Sequence, residues 1–282
     1  MFAIAIIGSS MTNKSNLGVM WTIEQLEAVT KDLANLRLLV DLELAPRYPH
    51  FNGKPYPLGR CKEIRDAVFT LLQEKLHQST EPGLAFICDR LNDGDTFQKV
   101  WGSLRDDYFQ NAILVGEWYI DVSNDTVNPN KPRVEIVALA ESGFSGISSF
   151  EQFVTIAEPY WEVKVYRNDI CPALAPFMPL IFVADSGACW LGEANDDMLA
   201  VAVNSQFSAS ESILSVLPSP PHDAIEGWKS VLLRLKHNTF LHQQGNAIDF
   251  CKEYRENQQY KMTAFRDSAV MAYLSLPKGI SI

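Results

Sequence analysis

Apolar residues recur at helical intervals from Ile23 through Leu26, Val29, Leu33 and Leu36, and Thr22 with Gln25 has capping-box spacing. The pattern predicts a long helix that starts at Thr22, buries those five side chains on one face and stops at Pro46. Residues 47–58 hold three prolines, a glycine and an asparagine, which predicts an ordered loop or a mobile cover. A second helix is expected from about Gly59 to His77, with Ile64, Val68, Leu71, Leu72 and Leu76 on one side. The run Leu84–Cys88 fits a strand or a buried helix, and Asp95–Arg105 reads as a short helix with Asp95 at its cap.

Strand patterns follow. Asn111–Val122 and Arg133–Leu139 are rich in β-branched and aromatic residues, with turn formers between them from Ser123 to Pro132. Ser148 and Glu151 predict another capping box, opening a helix toward Glu158. Strands are expected at Trp161–Tyr166, Leu180–Ala184 and Met198–Val203, and one more at Phe2–Ile7. Leu217-Pro-Ser-Pro-Pro221 marks a linker, dividing an α+β core domain (1–216) from a C-terminal helical segment (222–282) packed on that core. In the latter, 223–241 and 247–273 read as helical, broken near Gly245. The fold class is therefore α+β: N-terminal helices, a central, mainly antiparallel sheet and a helical tail.

Charge and composition narrow the function. A net charge of −10 opposes phosphate-backbone binding, so nucleic acid is not an expected partner. No apolar run nears the roughly 20 residues that span a bilayer, and the N-terminal apolar stretch lacks the basic flank of a signal peptide. A cytoplasmic protein with no membrane partner is expected. The five cysteines (Cys61, Cys88, Cys171, Cys189 and Cys251) are dispersed and include no CxxC pair, which fits reduced thiols. No HxD or HxE pair is present, His237 and His242 are expected about 140° apart on a helix, and Asp121–Asp125 lacks the glycine and glutamate of a calcium loop. The acidic residues Glu193, Asp196 and Asp197 read as a solvated loop. Neither a metal nor a cofactor is expected.

The segment Pro57-Leu-Gly-Arg-Cys-Lys-Glu-Ile-Arg65 puts Cys61 in the first turn of a helix, where free backbone N–H groups, Arg60 and Lys62 favour a thiolate. The competing reading makes Cys61 a small inward-facing hydrophobe. With Gly59-Arg-Cys61 at a helix start and Asn111–Asp121 as a strand, a turn and Trp-Tyr-Ile-Asp, the chain resembles the papain-like, transglutaminase-type cysteine proteins over about 65 residues. The resemblance implies Cys61 as nucleophile, Asn111 at the position of the general base and Asp121 as the orienting acid. It departs from the family where Asn111 replaces a histidine, since an amide does not take a thiol proton. His50 and His222, in Pro-rich loops, are alternative sources of an imidazole. Tyr56, Arg60 and Trp118 are the candidate substrate-binding residues. The expected activity is cysteine-dependent acyl transfer, as hydrolase or transferase, on a small amide or thioester from a small-molecule or protein substrate. The alternatives are a non-catalytic binding or regulatory protein and a metal-dependent oxygenase.

Overall fold

The computed structural model describes residues 20–192 and 195–282, so the strand expected at Phe2–Ile7, and Glu193, lie outside the described residues. The chain is α+β, and its strand pairs are antiparallel. It forms two compact units: residues 1–99 with 112–139, and residues 100–111 with 140–282. The segment Leu217–Pro221 lies inside the second.

In the first unit, helix α1 spans Ile23–Arg47, and both bonds of the Thr22–Gln25 capping box form. Pro46 sits in the last helical turn instead of ending the helix. The buried face matches the expected one from Val29 onward and departs from it in the first turn. Val29, Leu33, Leu36, Val40 and Leu44 are buried, whereas Ile23 is 72% exposed and Leu26 only half-buried. The helix is apolar on more than one side, so spacing alone did not define where the stripe facing the core begins. Residues 47–58 are ordered as a hairpin of β1 (His50–Phe51) and β2 (Lys54–Pro55), turning through Asn52 and Gly53, both at positive φ.

Helix α2 spans Cys61–Lys75 and buries Ile64, Val68 and Leu72. Helix α3 (Pro82–Asn92) absorbs the Leu84–Cys88 run. It packs on α1 so closely that a Cβ on Gly83 would stand 2.4 Å from the Ala28 carbonyl oxygen. The buried carboxylate of Asp32 on α1 accepts from the N–H groups of Gly83 (2.7 Å) and Leu84 (3.3 Å), so one helix caps the next.

A five-stranded sheet has the order β6–β5–β4–β3–β7, and the division between units falls within two of its strands. These are β3 (Phe97–Leu104) and β4 (Tyr108–Val115); the others are β5 (Trp118–Asp121), β6 (Glu135–Ala138) and β7 (Phe144–Ser145). Strand β3 replaces the helix expected at Asp95–Arg105. Gly102 disfavours a helix, and in the strand it lets the Ser145 carbonyl oxygen approach to where a Cβ would be 2.2 Å away. Asp95 accepts from Arg90 Nε at 2.9 Å and caps no helix.

In the second unit, a short helix α4 (Leu139–Ser142) starts at the boundary, and α5 runs Phe150–Trp161. The α5 cap is Ser149, one residue later than expected: its Oγ accepts from the Gln152 N–H at 3.1 Å. An antiparallel sheet has the order β11–β10–β9–β8, where β8 is Val163–Arg167, β9 Leu180–Ala184, β10 Ala188–Gly192 and β11 Ile280–Ser281. Met198–Val203, expected as a strand, lies in helix α6 (Asp196–Asn204). The Asn195 side chain caps it by accepting from the Met198 N–H at 2.9 Å. A short apolar run does not distinguish a strand from a buried helix, and here the asparagine cap decides.

Helices α7 (Ser208–Val216), α8 (His222–Leu232), α9 (Thr239–His242), α10 (Ala247–Glu256) and α11 (Thr263–Leu274) complete this unit. Between β8 and β9, residues Ile170–Met178 form an irregular buried stretch. Its backbone is satisfied by neutral side chains: Asn168 accepts from the Cys171 N–H and donates to Met178 O, Ser210 donates to Pro176 O, and the Tyr254 hydroxyl donates to Ala173 O.

Candidate functional site

The start of α2 is built from the hairpin before it. Gly59 donates its N–H to Thr126 O at 3.0 Å, tying this turn to the loop after β5. Arg60, the cap residue, has its guanidinium 4.8 Å from the ring centres of both Tyr48 and Phe51. Its Nη1 donates to Glu63 Oε1 at 2.7 Å and its Nη2 to His50 O at 3.0 Å. The predicted substrate contact Arg60 is thus a clamp that fastens the hairpin to α2.

Cys61 follows as the first residue of α2 and is partly exposed. One turn on, buried Arg65 donates through Nε to Asp66 Oδ1 (2.8 Å) and through Nη1 to Ala112 O (3.3 Å). Burial lowers the Arg65 pKa, against the opposing charges of Asp66 and Cys61. Asp66 is itself held below the ordinary carboxylate value: burial works the other way, but Lys62, Arg65 and Lys99 outweigh it.

Each of the other predicted residues has contacts of its own. Trp118 stacks on Trp21 at 4.8 Å, and Trp21 meets Phe86 edge-on at 5.1 Å. Asp121 is fully buried and accepts from the Ser123 N–H (2.8 Å) and hydroxyl (3.0 Å), fixing the turn after β5. Asn111 is buried in the second unit, where its backbone N–H donates to Gln110 Oε1 at 3.2 Å. Tyr56 donates its hydroxyl to Asp41 Oδ1.

Tyr56 leads to a charge network that the sequence pattern did not announce. Arg37, fully buried, donates to Asp41 Oδ1 (2.7 Å), Val122 O (2.8 Å) and Asp125 Oδ1 (2.9 Å). Arg133 reaches Asp41 at 3.2 Å. Burial opposes the Arg37 charge, yet Asp125 and Asp41 outweigh it and hold its pKa above the ordinary value. Burial first, then Asp41, pushes the Tyr56 hydroxyl above the ordinary phenol range. The signal in the sequence was an arginine on the Val29–Leu33–Leu36–Val40 face of α1, where a lone charge needs partners.

No family model matches the chain, and no curated protein or solved structure matches it.

The thiols and imidazoles separate by unit. In the second, burial pushes Cys171 up to about 12, and burial with Glu211 does the same for Cys251; Cys189 is raised by burial while Trp228 Nε1 donates to its sulfur at 3.3 Å. His237 and His242 have ring centres 5.2 Å apart, not on opposite sides of a helix, because α9 starts only at Thr239. His242 Nε2 lies 3.0 Å from Leu232 O. His222 is exposed. In the first unit His50 is exposed, and His77 Nδ1 lies 3.9 Å from Cys88 Sγ. Among the described residues, no group of three or more His, Cys, Asp or Glu side chains could hold a metal ion.

The outer face of α1 is a second feature of the first unit. Met20, Ile23, Leu38, Leu39 and Leu42 are each at least 50% exposed. A shallow groove of about 400 Å³ runs along the N-terminal half of the helix, lined by Ile23, Leu26, Glu27, Thr30, Lys31 and Ala34. Among the described residues, no helix is long and apolar enough to cross a membrane.

Proposed function

We propose that this chain is a non-catalytic binding protein whose working surface is the outer face of α1, and that its occupant is α1 of a second copy. The observation that carries the reading is the apolar exposure of this face, where Ile23 and Leu38 keep 72% and 50% of their surface open. Clustered apolar exposure of this kind marks an interaction surface more often than an ornament of a monomer.

The charges favour a second copy. Glu27 and Lys31 lie one turn apart within the groove. In an antiparallel two-fold pairing, Glu27 of each copy approaches Lys31 of the other while Ile23 approaches Ala34, so the surface complements itself. In that register residues 23–35 of the two helices overlap over about 20 Å, and a strip about 10 Å wide along both buries about 400 Å². That area lies far below a standard interface and belongs to weak, transient association. Light scattering across protein concentration tests the reading. The parent chain is expected to shift from monomer to dimer, and Ile23→Glu/Leu38→Glu, both at exposed positions, to remain monomeric with an unchanged helical spectrum. A parent chain that stays monomeric up to about 1 mM, the upper range of weak association, contradicts the proposal.

A second reading keeps Cys61 as a nucleophile for acyl transfer to or from a small amide or thioester. It is favoured by the partly exposed position of Cys61 at the first residue of α2, with the Arg65 cation one turn away. Rates of alkylation of Cys61 with a small reagent test it. A Cys61 that reacts no faster than free cysteine removes the idea. The unbridged state of all five cysteines supports placing the protein in a reducing, cytoplasmic compartment.

A further inference from the structure

The chain does pair an imidazole with a sulfur, but the sulfur is that of Cys88. Cys88 lies on α3 and is partly exposed; His77 lies in the turn that follows α2 and is exposed. His77 Nδ1 is 3.9 Å from the sulfur, and Asn92, one turn further along α3, donates Nδ2–H to it at 3.8 Å. Base, sulfur and amide donor therefore meet at an open surface, supplied by two consecutive elements.

From this geometry we infer that Cys88 is a reactive thiol, deprotonated by His77, that exchanges with small-molecule disulfides. His77 Nδ1 takes the S–H proton, leaving a thiolate beside an imidazolium, and the Asn92 N–H donates to the ionised sulfur. The thiolate attacks one sulfur of the incoming disulfide along the S–S axis. The Cys88–S bond forms as the S–S bond breaks, and the leaving thiolate collects the proton held by His77. The products are a mixed disulfide on Cys88 and one molecule of free thiol, so electrons balance within the pair of reactants. A disulfide suits the site better than an acyl donor, because exchange needs an ionised sulfur and open approach and requires no preorganised oxyanion donors. Buried Cys171, Cys189 and Cys251 do not compete.

The test uses the full chain carrying Cys61→Ser, which leaves Cys88 as the partly exposed thiol, with 4,4′-dithiodipyridine as the disulfide. Released thiopyridone gives the rate at pH 7, and peptide mass analysis gives the site. One equivalent is expected to react at Cys88, roughly tenfold faster than a free cysteine, as thiolate stabilisation by a neighbouring imidazole allows. His77→Gln, a substitution at an exposed position, is expected to remove that advantage, and Asn92→Ala to remove about a third to a half of its logarithm. A His77→Gln chain that reacts at the parent rate, or a Cys88 no faster than the free amino acid, overturns the inference. Neither result bears on association through α1, which is read by mass in solution.

Discussion

The two units are packed by different means. The buried polar groups of the first include charges: Asp32, Arg37, Arg65, Asp121 and Asp125. Those of the second are neutral among the described residues: Ser103, Gln110, Asn111, Ser142, Asn168 and Ser210. In the first unit, charges join elements distant in sequence. Arg37 on α1 holds the loop after β5, and Asp32 on the same helix holds the start of α3. The second unit relies on rings, with Phe153 against Phe109 at 4.9 Å, Trp161 at 5.6 Å and Phe182 at 6.0 Å. Its irregular buried segment is pinned by amide and hydroxyl groups. A buried charge fixes geometry but penalises the loss of one partner, whereas ring packing tolerates change in proportion to the volume lost.

The largest effect that separates these modes is expected from Arg37→Met. Removing the cation leaves Asp125 and Asp41 with only the half-exposed Arg133 as a cationic partner and should cost about 3 kcal/mol in urea unfolding, while Arg37→Met/Asp125→Leu should recover part of that loss. A single variant costing under about 1 kcal/mol would place the stability of the first unit in its apolar contacts instead. Next comes Asp32→Ala, expected to cost about 2 kcal/mol by leaving two N–H groups of α3 without their acceptor, with Asn at the same position retaining part of the bond. Hydrogen exchange of the Gly83 and Leu84 amides reports that cap directly. In the second unit, Asn168→Ala should cost about 1–2 kcal/mol, and that cost should not change with added salt, because no charge is involved. Salt dependence there would blur the contrast.

The smallest effect is one of pH. Asp66 titrates below its ordinary value of 3.8 when folded, so the stability it contributes is present above that pH and is lost as the pH falls through the lower, folded value. Partial exposure of this carboxylate limits the effect to about 1 kcal/mol. Asp66→Asn is expected to flatten the pH dependence of unfolding below pH 4, and an unchanged acid limb would assign the acid loss to other carboxylates.

Legibility in the sequence followed the same contrast. Local chemistry read well: the Thr22–Gln25 box, the strand Leu180–Ala184, the break at Gly245 and the mixed α+β class are each set by neighbouring residues. Long-range partners did not. The arginine at position 37 was visible on an apolar helix face, but its partner Asp125 lies in a loop 88 residues on. The core face of α1 was legible from Val29 to Leu36, but its first turn was misread, because Ile23 and Leu26 continue the apolar spacing although the core does not fully cover them. The candidate site was legible in part. The helix start at Cys61 was readable from its glycine turn, while the proximity of His77 to Cys88 required the geometry of two helices and the turn between them.

Sedimentation equilibrium of a charge-reversal cycle at Glu27 and Lys31 tests the binding role of α1 most directly. Glu27→Lys and Lys31→Glu should each weaken self-association roughly fivefold to tenfold, and the double reversal should restore it, because each position faces the other across a two-fold axis. If the double variant associates no better than the singles, or if none of the four chains associates, the face of α1 does not pair with its own copy and the proposed role fails.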